Sequence, residues 1–87
     1  MADRRLQVFS TVARLLSFTK AAEALHMTQP AVTFQIRQLE DYFNTRLFDR
    51  THNRISLTAA GHLVKDYSGQ IISLYSDHLE RLFKILN

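Results

Sequence analysis

Phe18-Thr19-Lys20-Ala21-Ala22-Glu23-Ala24-Leu25-His26-Met27-Thr28-Gln29-Pro30-Ala31-Val32-Thr33 is the stretch on which the reading of this chain turns. Phe18, Ala21, Ala22 and Leu25 recur at helical spacing, and the small alanines let another helix approach closely. His26-Met27-Thr28 then makes a tight turn. Thr28 is a good N-cap, and Pro30 falls in the first turn of the next helix, where its missing N–H costs nothing. That helix carries Val32, Ile36, Leu39 and Phe43 at intervals of four, three and four. It ends about Asn44, a residue that tolerates the left-handed conformation of helix ends.

The flanks extend the pattern. Upstream, Leu6, Phe9, Ala13 and Leu16 mark one side of a helix, with Val12 beside them; it should stop near Ser17, where Ser17-Phe18-Thr19 offers hydroxyls to cap the next. Downstream, Leu47-Phe48-Asp49-Arg50 and Arg54-Ile55-Ser56-Leu57 read as strands joined by Thr51-His52-Asn53, a short hairpin with a polar, basic tip and with Arg50 and Arg54 at its base. Thr58 then caps a last helix. Its apolar stripe runs through Val64, Tyr67, Ile71, Leu74, Tyr75, Leu79, Leu82 and Leu86. At 1.5 Å per residue this helix is about 40 Å long, more than a small domain can cover, so its stripe calls for a partner.

Composition narrows the function. Eighty-seven residues allow one small domain, and 46% hydrophobic with 22% charged residues is ordinary globular composition. With no cysteine there is no disulfide, thiolate metal site or cysteine nucleophile. Gly61 and Gly69 are isolated, so no glycine-rich phosphate cradle exists. His26, His52, His62 and His78 show no metal-ligand pairing, no apolar run approaches a membrane span, and no cofactor is implied. Met1-Ala2-Asp3-Arg4-Arg5-Leu6 lacks the apolar core of a secretory signal, because Arg14 breaks the next stretch; the protein reads as cytoplasmic. The net charge of +3 is unevenly spread: residues 1–58 hold eight Lys/Arg against five Asp/Glu, residues 59–87 three against three. The excess favours a polyanionic partner for the first two thirds of the chain.

Helix, helix, tight turn, helix and basic hairpin is the plan of a mainly α, winged helix-turn-helix fold: a three-helix core, a two-stranded β wing and a long C-terminal helix. Its third helix buries one side and offers the other to the DNA major groove. On a helical wheel Pro30, Phe34, Arg37, Gln38 and Asp41 fall opposite the buried arc, with Thr33 at the edge. Phe34 is either an exposed or satellite-packed phenyl or an apolar contact for a thymine methyl or sugar. Arg37 either pairs with Glu40 or Asp41 along the helix or reaches DNA. Gln29 projects from the helix start, where its amide can pair with an adenine edge. Thr19, Lys20 and Thr28 sit at helix N-termini, where a phosphate is favoured, and the two threonines are equally suited to capping. Arg50, His52, Asn53 and Arg54 could grip phosphate or minor groove, while Arg4, Arg5 and Arg46 read as general surface charge.

The quoted stretch resembles the helix-turn-helix of LysR-type transcriptional regulators, as do Gln38-Leu39-Glu40, Leu47-Phe48-Asp49-Arg50 and Leu57-Thr58-Ala59-Ala60-Gly61. Phe34 departs from the arginine common there, and Thr33-Phe34-Gln35 is similar to the segment in some regulators of autotrophic carbon fixation. The resemblance implies a DNA-binding domain over residues 1–58 and a linker and dimerisation helix over 59–87. It implies binding of an interrupted palindrome near a promoter by a homodimer joined through antiparallel last helices, and tetramers in the full-length protein. Base readout falls to Gln29, Pro30, Thr33, Phe34 and Arg37; backbone and wing contacts fall to Thr19, Lys20, Thr28, Gln35, Arg50, His52, Asn53 and Arg54. Tyr67, Ile71, Leu74, Tyr75, Leu79 and Leu82 would form the dimer interface. A small-molecule inducer would bind an effector domain expected to be absent from this chain.

Two other classes compete. A protein-interaction module would use the same long helix with DNA incidental. An enzyme finds little support, because Glu40-Asp41 lies on a solvated helix face with no histidine or second carboxylate at useful spacing.

Overall fold

The computed structural model describes residues 4–87; Met1, Ala2 and Asp3, part of the reading against a secretory signal, lie outside the described residues. The order is α1 (Arg4–Leu15), α2 (Phe18–Leu25), α3 (Gln29–Phe43), β1 (Phe48–Thr51), β2 (Arg54–Leu57) and α4 (Ala59–Leu86). Each boundary has a local cause. Ser17 caps α2 by accepting a hydrogen bond from the Lys20 amide, and Thr28 caps α3 through the Ala31 amide. His26 and Asn44 close α2 and α3 in the left-handed conformation, with φ of 55° and 53°.

The core lies where the first three helices meet the start of the wing. Phe9, Val12, Phe18, Val32, Leu39 and Leu47 are buried in it, and Ala21 and Ala22 let α2 seat closely. The Phe48 ring joins Phe9 at 5.2 Å and Phe18 at 5.8 Å between centroids, the latter edge-on, so the wing is clamped to α1 and α2 by aromatic contacts. Val8, outside the stripe read from sequence, is fully buried.

Some expectations shift. Leu16 leaves the end of α1 with φ of 50°, which swings its side chain out of the stripe and leaves it exposed. Phe43, at the last turn of α3, is 41% exposed and lies outside the buried core. In the hairpin Leu47 precedes the strand and Thr51 belongs to it. The strands pair antiparallel with Phe48 opposite Leu57 and Thr51 opposite Arg54. The connection is therefore only His52-Asn53, both at positive φ (53° and 59°), as a type I′ turn requires.

The start of α4 is bolted to the wing. Thr58 Oγ1 accepts from the Gly61 amide at 3.0 Å and donates to the Arg46 carbonyl at 2.7 Å, while the Thr58 amide donates to the Leu47 carbonyl. Ala60, Val64 and Ile72 pack on the core, and Ser68 is buried with its hydroxyl donating to the Lys65 carbonyl. Beyond Ile72 the helix leaves the body, giving a molecule of 51 × 26 × 19 Å. Among the described residues no helix is long and apolar enough to cross a membrane.

Candidate nucleic-acid interface

The face of α3 opposite Val32, Ile36 and Leu39 is the first candidate surface. Gln29, Pro30, Thr33, Phe34 and Arg37 line one shallow concavity on it, so all five expected base-reading residues are brought together. Phe34 is 57% exposed, too open to serve the core. Arg37 forms no ion pair with Glu40 or Asp41 among the described residues. Glu40 is engaged elsewhere, since its Oε2 accepts the Leu47 amide at 2.8 Å. The guanidinium is therefore available on the outer face.

The flanking residues divide. Thr28 uses one oxygen lone pair on the Ala31 amide and keeps its O–H free. Because Ser17 supplies the α2 cap, Thr19 is relieved of that duty; Thr19 and Lys20 are both exposed in the first turn. Gln35 is half-buried and does not line the concavity.

Alternation along β1 and β2 splits the wing. Phe48 and Arg50 share the inward face with Ile55 and Leu57, and Thr51 and Arg54 share the outward one. Arg54 therefore flanks the turn with Thr51, rather than lying at the base with Arg50. His52 and Asn53 form the exposed tip. Arg50 folds inward, its guanidinium carbon 4.1 Å from the centroid of Phe18. That cation–π contact fixes the charge beside α2 and α3. The sequence holds a signal for it in the two-residue step from Phe48, but Phe18 is distant in the chain.

A second surface lies on α4. Tyr67, Ile71, Leu74, Tyr75, Leu79 and Leu82 are all 41–62% exposed. At its near end Leu6, Phe43, Leu63, Val64, Tyr67 and Ile71 line an apolar groove, with Ser68 its sole polar residue. Sequence spacing does not place Leu6, Phe43 and Leu63 there; they join it only because the starts of α1 and α4 and the end of α3 converge.

Comparison with known proteins gives consistent matches. Residues 4–62 match the family model described as bacterial regulatory helix-turn-helix protein, lysR family. The chain is 48% identical over 82 residues to the RuBisCO operon transcriptional regulator of Allochromatium vinosum, covering 91% of this chain and 27% of that protein. It is 43% identical over 79 residues to the transcriptional regulator CfxR of Cupriavidus necator, covering 91% and 25%. It thus spans about a quarter of the length of these curated relatives. Among solved structures, the BenM DNA-binding domain in complex with catB site 1 DNA superposes with a TM-score of 0.92 at 30% identity, covering 97% of this chain and 94% of that one. The CbnR DNA-binding domain bound to DNA gives 0.89 at 33% identity, covering 97% of each.

Proposed function

Because the chain belongs to the LysR family of bacterial regulatory helix-turn-helix proteins, we propose that it binds double-stranded DNA sequence-specifically as the reading head of a transcriptional regulator. Residues 1–58 carry recognition and residues 59–87 carry pairing. The observation behind this reading is the concavity of Gln29, Pro30, Thr33, Phe34 and Arg37, which runs from the start of α3 along its outer face, with Thr33 at the edge. Amide, hydroxyl, guanidinium and apolar ring on one helix face are the chemistries that a major groove distinguishes. Thr19, Lys20, Thr28 and Gln35 hold the backbone beside it, and Arg50, His52, Asn53 and Arg54 place the wing on phosphate or minor groove.

A homodimer forms through Tyr67, Ile71, Leu74, Tyr75, Leu79 and Leu82, with the α4 helices antiparallel. Two copies so joined face an interrupted palindrome, because a two-fold protein reads inverted half-sites. In the whole protein the dimer pairs into tetramers, and a further domain binds a small-molecule inducer.

Gln29→Ala tests the readout. It should weaken binding to the preferred site by about 1–3 kcal/mol and leave random-duplex affinity unchanged. Fluorescence anisotropy on both duplexes checks this, and equal losses on the two would remove Gln29 from base recognition.

A further inference from the structure

The cleft between α3 and the wing gathers three arginines and one glutamate. Phe18, Thr33, Arg37, Glu40, Arg46 and Arg50 border this cleft of about 130 Å³. Its three arginines come from three separate segments: the middle of α3, the loop before β1, and β1 itself. Glu40 is the one acid among them, and it spends an oxygen on the Leu47 amide. None of the three guanidinium groups is within ion-pair distance of it among the described residues.

The backbone around Arg46 is fixed although its side chain is exposed. Its carbonyl accepts the Thr58 hydroxyl at 2.7 Å, and the next amide is held by Glu40 at 2.8 Å. Arg50 is held over the Phe18 ring. Arg37 borders both this cleft and the concavity of Gln29 and Phe34. Like charges held together without carboxylate partners raise the local potential until an anion is shared between them, and guanidinium forks suit a phosphate oxygen pair.

We infer that Arg46 and Arg50 form a seat for one backbone phosphate of double-stranded DNA, with Arg37 on its rim facing the bases. The seat rests on the proposed DNA binding and adds a residue, Arg46, that otherwise reads as general surface charge. It registers the strand between the base-reading face and the wing, so the two elements engage one duplex as a unit. Thr58 and Glu40 act as positioning residues that hold the loop carrying Arg46.

The test is the salt dependence of random-duplex binding by wild type, Arg46→Gln, Arg50→Gln and the double variant. Each phosphate contact contributes about one unit to the slope of log affinity against log salt. A shared seat predicts a loss of less than about one unit for each single variant and about one unit for the double. A double loss of about two units, one per arginine, would assign them to separate phosphates and overturn the seat. A wild-type slope in Arg46→Gln would remove Arg46 from the contact while leaving DNA binding intact. Arg46→Glu needs no change at the Phe18 contact and should lower affinity at least about tenfold at low salt, on random and preferred duplex alike; no loss would overturn the inference even if Arg50→Gln folds poorly. Absence of wild-type binding at low salt would instead refute the DNA-binding reading itself.

Discussion

At Gly61 the backbone of α4 crosses the carbonyl of Leu47, and a Cβ would collide with that oxygen and lie 2.9 Å from Leu57 Cδ2. The glycine is needed for this close approach, in a helix where its flexibility is otherwise a cost. Gly61→Ala should therefore destabilise the fold by about 1–3 kcal/mol, since the wing must shift to admit a methyl group. Urea unfolding checks this, and an unchanged midpoint would show that α4 does not press on the wing. The sequence displays the glycine but cannot show Leu47 above it, because the contact closes across the hairpin. Arg50 is hidden for the same reason: its type suggests DNA, while its position depends on the Phe18 ring. Phe34 is the opposite case, since its placement on the outer face of α3 is legible from the wheel alone.

Elements are more legible than their margins. The periodic residues of α3 and the caps Thr28, Asn44 and Thr58 specify their own structure through neighbours a few residues away. Leu16 and Phe43 fit the spacing yet fall outside the core, because helical spacing says nothing of where the neighbouring elements stop. Residue type alone makes the hairpin turn one residue too long, since Thr51 still pairs with Arg54. The long stripe of α4 lacks cover from its own domain, as its length predicts: Leu74 is 58% exposed. Exposure makes Leu74→Asp a clean probe, harmless to the single chain. In a dimer it would bury a carboxylate without a partner and weaken pairing by about 3 kcal/mol or more. Sedimentation should find dimers of the wild type and monomers of the variant, while a monomeric wild type would contradict pairing through α4.

At the scale of the molecule, charge and shape divide the work. The basic excess sits in residues 1–58, and the last 29 residues are balanced. The body thus carries the charge suited to the proposed polyanion, while the far half of the arm is apolar and exposed, as the proposed pairing requires. On the proposed pairing, one body reads a half-site and the arm sets the distance and orientation of the other. The central claim is hence that two copies read inverted half-sites in register. Selection of bound sequences from a pool of random duplex DNA tests it most directly. The predicted result is enrichment of two inverted half-sites separated by a fixed interval. A pool that stays random through successive rounds, with all binding lost as salt is raised, would contradict it.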